Sequence, residues 1–211
     1  MGLYFTREVK NGATISVWEI IESEEELFDM SPILDDELGE FYLIKSKTRR
    51  KERLAVRALL NTIFGREVRL GYHDNGRPYL RNNPVSISIA HTGRFVCIIT
   101  HPEKSVGIDI ESLKRNYSSI ERRVLSEKER REISRDNRKL HLACIWSAKE
   151  AVFKRVSLMG IDFANQIEVG KFSPRECGEI EALFVDKDRS EQKFDVNYEL
   201  FENHVMTWII G

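Results

Sequence analysis

Halfway along the chain, His101-Pro102-Glu103-Lys104-Ser105 breaks an otherwise apolar run with a polar segment that contains proline. This break constrains the fold more than any other feature. It is the best boundary between two halves of the chain. Each side mixes helical periodicity with hairpin-type alternation, so the expected class is α+β, built as two lobes. The lobes would span residues 1–101 and 105–211, and 211 residues suffice for two such units.

Upstream of the break, residues 14–21 alternate as a strand. Residues 23–30 and 33–45 read as helices on either side of Pro32. Residues 48–64 form a third helix, closed by Gly65 at its C′ position. Its buried stripe is Leu54, Ala55, Ala58, Leu59, Thr62 and Ile63. Asn75-Gly76 is a turn signal. Residues 85–90 alternate strictly, and His91-Thr92-Gly93 connects them to a strand over 95–100. Downstream, 106–111 is a strand, and 117–125 and 127–134 are helices. Ser126 and Glu129 have capping-box spacing. The strongest helix covers 140–158, with Leu142, Ile145, Val152 and Val156 on its apolar face. Four further strands are expected near 166–171, 180–185, 193–200 and 203–210.

The 33 Lys and Arg residues balance 34 Asp and Glu, for a net charge of −1. That balance argues against a nucleic-acid binder working through bulk positive charge. No apolar run nears the roughly 20 residues of a membrane helix, and the charged residues 1–10 lack a signal-peptide core. Cys97, Cys144 and Cys177 have no metal-ligand spacing and sit in or beside apolar stretches. Buried free thiols in a reducing cytoplasm are the expectation.

Four patterns could carry chemistry. In Gly107-Ile108-Asp109-Ile110-Glu111, strand period places Asp109 and Glu111 on one face and the isoleucines on the other. Alone, this is either a solvated acidic face or a seat for a hard divalent cation with oxygen ligands. Trp146, Glu150 and Lys154 share one helical line at i, i+4 and i+8, either as a surface ion pair or as part of a site. Lys149 lies about 100° away around that helix. His91 and Thr92, at a tight turn with Gly93, can bind an anion or simply close a hairpin. Arg50, Arg53 and Arg57 form a helical stripe, and Arg77-Pro78 follows the Asn75-Gly76 turn. Arginine's planar fork suits phosphate, although a solvated helix flank would look the same.

Taken together, in this order and spacing, the patterns resemble the 4′-phosphopantetheinyl transferase superfamily in its two-lobed, Sfp-type form. The family's Gly-Ile-Asp-Ile-Glu strand corresponds to residues 107–111. Its Trp-Ser-x-Lys-Glu-x-x-x-Lys helix corresponds to Trp146 through Lys154. Ser126 and Glu129 match its Ser-x-x-Glu segment, Gly76-Arg77-Pro78 its Gly-Lys-Pro element, and Ile89-Ala90-His91-Thr92-Gly93 its Ile-Ser-His-Ser-Gly turn. Two departures are Ala90, where the family often has serine, and the single glycine of Leu158-Met159-Gly160-Ile161-Asp162, where a Gly-x-Gly-Leu loop is usual.

The resemblance implies two similar α+β lobes related by a pseudo-twofold axis, with the active site at their interface. It implies transfer of phosphopantetheine from coenzyme A to a serine of an apo acyl or peptidyl carrier protein, releasing adenosine 3′,5′-bisphosphate. Asp109, Glu111 and Glu150 would hold Mg²⁺, with Glu150 as general base. Lys154 would contact the diphosphate, and Lys149 would do likewise or hold the phosphopantetheine side. Arg77 and His91 would take the 3′-phosphate, with Thr92 beside them, and Arg53 the adenosine end. A monomer in the cytoplasm, without nucleic-acid or membrane partners, is expected. Two alternatives are a non-catalytic coenzyme A- or carrier-binding homologue and a Mg²⁺-dependent diphosphate hydrolase. Against the latter, the chain has no Walker glycine-lysine loop.

Overall fold

The computed structural model describes residues 2–33, 35–65, 68–81 and 83–211. Among the described residues, nine strands lie in two antiparallel sheets and two more form a separate hairpin. In the first half, β1 (Leu3–Glu8) and β2 (Thr14–Glu19) are followed by three helices: α1 (Glu24–Met30), α2 (Asp35–Leu43) and α3 (Lys47–Phe64). A two-stranded hairpin follows, β3 (Leu70–Tyr72) and β4 (Pro78–Leu80). Next come β5 (Ser86–His91) and β6 (Phe95–His101), giving a four-stranded sheet of order β1-β2-β6-β5. The second half runs β7 (Val106–Ser112), α4 (Ser118–Val124), α5 (Glu127–Glu132), α6 (Arg138–Val156) and α7 (Phe163–Gln166). It then forms β8 (Ile167–Val169), β9 (Cys177–Val185), β10 (Glu191–Phe201) and β11 (His204–Ile210). Its five-stranded sheet has the order β7-β11-β10-β9-β8.

Local signals explain most boundaries. Ser23 and Ser126 each close a capping box with the glutamate three residues on. Ser46 caps α3, and Gly65 ends it with φ of 59°. Gly76 sits at φ of 80° in the turn between β3 and β4, a conformation that favours glycine. The anticipated helix over 33–45 begins at Asp35, and residue 34 lies outside the described residues. The strand expected to reach residue 21 stops at Glu19. β1, the short β3 and β4, and α7 were not anticipated.

Each sheet has two apolar faces. Trp18, Val96 and Ile98 pack against Leu54, Ala55 and Leu59 of α3. On the reverse, Ile15, Val17, Cys97 and Ile99 meet Val106, Ile108, Ile110, Met206 and Trp208 of the second sheet. The third cluster lies between the second sheet and α6, which buries Leu142, Ile145, Ala148 and Val152 among β8–β11. One apolar seam therefore joins both halves. The edge strands β5 and β7 lie alongside each other there, and the Ile108 amide donates to Ser88 Oγ at 3.1 Å. Cys97 and Cys144 are buried free thiols. Cys177, expected to be buried, is exposed at the start of β9, whose first three residues all face solvent.

Candidate active site

The site forms where β5 and β7 meet, with α6 packed behind β7. Gly107 permits that packing, since a Cβ there would stand 2.2 Å from the Ala151 carbonyl oxygen. Strand alternation turns Ile108 and Ile110 into the seam, leaving Asp109 and Glu111 to face α6.

Every oxygen of these two buried carboxylates has a partner. Asp109 Oδ1 accepts from Lys154 Nζ at 2.9 Å, and Oδ2 accepts from Ser147 Oγ at 2.9 Å. Arg115 donates through Nη1 to Glu111 Oε1 and Oε2, at 2.7 and 2.9 Å. Trp146 Nε1 also donates to Glu111 Oε1, at 2.6 Å. Burial and the nearby Asp109 charge raise the Glu111 pKa, against hydrogen bonds from Arg115 and Trp146. Half-buried Glu150 is pushed up to about 7, first by burial and then by Asp109, with Lys154 opposing.

A hollow of about 410 Å³ opens over this floor, lined by His91, Thr92, Asp109, Glu111, Arg115 and Lys154 among others. It shares Ile89, His91 and Lys154 with a larger cleft of about 900 Å³. That cleft is markedly basic, taking in Arg49, Arg53, Arg57, Arg77 and Arg81. Across it, Asn75 Nδ2 donates to the Ser157 carbonyl at 2.7 Å, joining the β3–β4 turn to the end of α6. His91 Nδ1 lies 3.2 Å from Glu52 Oε2. Thr92 Oγ1 accepts from the Arg94 and Phe95 amides and so holds the turn.

The structure thus gathers Asp109, Glu111, Lys154, His91, Thr92, Arg53 and Arg77 around two joined hollows. Half-buried Glu150 lines neither hollow, but it lies near enough to Asp109, Lys154 and Glu111 to feel their charges. Arg53 approaches Glu40 at 3.7 Å on the cleft wall. Arg50, from the same anticipated stripe, is instead paired with Glu24 at 2.6 Å. Lys149 departs from expectation as a ligand contact. It is fully buried inside the second half, and all three ammonium hydrogens are engaged there.

Four partners escaped the sequence reading: Arg115, Ser147 as a donor, Glu52 and Arg81. Arg115 reaches Glu111 around the turn after β7, where no helical or strand period relates the two. Among the described residues, no group of three or more His, Cys, Asp and Glu converges to hold a metal ion. The donor chemistry still suits a hard divalent cation, because the Asp109 charge adds to burial in raising the pKa of Glu111 and Glu150, and such crowding calls for positive charge. Here Lys154 and Arg115 supply that charge.

Strand, helix and basic wall together define an α+β protein with paired carboxylates on a strand, backed by a Trp…Lys-Glu…Lys helix. A family model described as the 4′-phosphopantetheinyl transferase superfamily matches residues 105–209. Through that half, the chain belongs to the superfamily. Two proteins named 4′-phosphopantetheinyl transferase AcpT, from Salmonella typhi and Salmonella typhimurium, are each 29% identical to it over 113 residues. The match covers 51% of this chain and 59% of each relative, so the chain spans under two thirds of their length.

Proposed function

We propose that the protein is a phosphopantetheinyl transferase of the two-lobed, Sfp-type form, using coenzyme A and an apo carrier protein. The observation that carries this reading is the union of an acidic floor with a basic cleft through His91 and Lys154. A diphosphate thioester carrier such as coenzyme A needs both ends served: a phosphate-rich nucleotide in the basic cleft and a reacting phosphorus over the carboxylates. The names of the two relatives agree with the reading.

In this scheme the carrier serine Oγ forms a bond to the phosphorus that bears the pantetheine arm. The bond from that phosphorus to the bridging oxygen breaks, and adenosine 3′,5′-bisphosphate leaves. Glu150 accepts the serine proton, and a pKa near 7 suits a general base at neutral pH. Lys154, within reach of Asp109, stabilises the departing oxygen. Arg77 and His91 hold the 3′-phosphate, Thr92 shapes their turn, and Arg53 lies toward the adenosine. Asp109, Glu111 and Glu150 would hold Mg²⁺ once Lys154 and Arg115 yield. Bound there, the cation would neutralise charge on the diphosphate. Lys149 has no contact role in this scheme.

Two halves related by a pseudo-twofold axis, 1–101 and 105–211, are part of the proposal. Its support is a shared path: β2–α3–β5–β6 with sheet order β2-β6-β5, and β7–α6–β10–β11 with order β7-β11-β10. Three free thiols fit a reducing cytoplasm, and both walls of the site come from one chain, as a monomer requires.

Apo acyl and peptidyl carrier proteins incubated with coenzyme A and Mg²⁺, then weighed by mass spectrometry, test the function. A gain of one phosphopantetheine is expected, and Asp109→Ala or Glu150→Gln should abolish it with the circular dichroism spectrum unchanged. Adenosine bisphosphate released without any carrier would favour the hydrolase. Coenzyme A binding without turnover would favour a binding homologue.

A further inference from the structure

Lys149 and Glu129 are both almost wholly enclosed, which is rare for either residue type. Lys149 Nζ donates three hydrogen bonds of 2.8 Å: to Glu129 Oε2, to the Val124 carbonyl and to the Phe163 carbonyl. Glu129 Oε2 also accepts from the Ser126 amide at 2.7 Å, and Oε1 from the Val169 amide at 2.8 Å. One ion pair therefore joins the end of α4, the start of α5, the middle of α6, the start of α7 and β8. Burial lowers the Lys149 pKa, and the Glu129 charge opposes that shift.

Buried pairs of this kind add little stability over apolar side chains of equal volume. Where they have a use, it is to select one arrangement. The arrangement selected here can be followed from contact to contact. Trp146, Lys149 and Phe153 stand at i−3, i and i+4 along one side of α6. Phe163 lies across that side, its ring 5.5 Å from Trp146 and 5.3 Å from Phe153 between centroids. Its own carbonyl is the one Lys149 holds. The Trp146 indole, backed by that ring, donates to Glu111 Oε1.

We propose that the Lys149–Glu129 pair is a positioning device which, through Phe163 and Trp146, sets the direction of the Glu111 carboxylate in the site. This deepens the reading of the carboxylate floor given above and rests on it. Neither residue of the pair touches the cleft, so both are positioning residues.

The chain has three tryptophans, Trp18, Trp146 and Trp208, so a ¹H–¹⁵N spectrum of the labelled full chain carries three indole cross-peaks. Trp146→Phe assigns the one of interest. Glu129→Gln should move the Trp146 cross-peak upfield as its short bond to Glu111 lengthens, leaving those of Trp18 and Trp208 in place. Phe163→Leu keeps the carbonyl that Lys149 holds and removes only a half-buried ring. It should give the same selective shift, and it carries the test if Glu129→Gln does not fold. An unmoved Trp146 cross-peak in either folded variant overturns the proposal. In the transfer assay, Glu129→Gln should lower kcat about 10–100-fold, as loss of a supporting contact to a site ligand does, with the KM for coenzyme A unchanged. A raised KM with intact kcat would also count against it. Absence of transfer by the parent protein would sink the proposed function and leave the spectroscopic result standing.

Discussion

A methyl group at residue 107 would meet the Ala151 carbonyl oxygen at 2.2 Å and the Arg155 backbone at 3.0 Å. Neither contact is the free end of a flexible side chain, so α6 would have to move. Because α6 carries Trp146, Ser147, Glu150 and Lys154, any movement separates them from Asp109 and Glu111. Gly107→Ala should cost about 1–3 kcal/mol by overpacking, seen as a lower denaturant midpoint, and should reduce transfer more than this loss of stability explains. A variant as stable and as active as the parent would show that the helix has slack at this point. Glycine here serves close approach alone, since its φ is not in the left-handed region.

The acidic floor is a property of two elements, β7 and α6, and its titration belongs to both. Folding holds the Glu150 carboxyl at about 7, against an ordinary 4.5. A raised value means the folded chain favours the protonated form. The resulting stability is complete below the unfolded pKa and is lost as the pH rises through the folded one. Glu150→Gln keeps that position neutral throughout. Without added divalent cation, the variant's gain in Tm over the parent should therefore be larger at about pH 8 than at about pH 5. Equal gains at both would place Glu150 in an environment of ordinary polarity. The same two elements show what a sequence can and cannot disclose. Alternation in 106–111 made the facing of Asp109 and Ile108 legible, and helical spacing put Trp146, Glu150 and Lys154 on one line. The partner of Lys149 is Glu129, twenty positions upstream on a different helix, and no period links them. β1 escaped for a related reason. It is an edge strand with mostly exposed side chains, so its alternation has little apolar content to reveal it.

Across the whole molecule, the seam between the two sheets makes the halves depend on each other. Ile108 is fully buried among residues of both, and its amide is satisfied by Ser88 of the other half. Ile108→Ala should cost about 2–5 kcal/mol, and the loss should be felt in both halves at once. Trp18 reports on the first sheet and Trp208 on the second. With single-tryptophan variants, the two denaturation curves should coincide in the parent and shift together in Ile108→Ala. Curves that separate would mean that each half melts alone and that the seam is only a contact between finished domains.

The seam also bears on inheritance. The family model covers only the second half, yet the apolar face of β7 is completed by Ala90, Cys97 and Ile99 from the first. A larger side chain at residue 108 or 110 must be answered by a smaller one across the seam, or the site at its rim is pried open. The two halves should therefore have diverged as a pair. Among natural variants of this chain, residue volumes at 90, 97 and 99 should vary inversely with those at 108, 110 and 206, even where the surrounding surfaces have drifted freely.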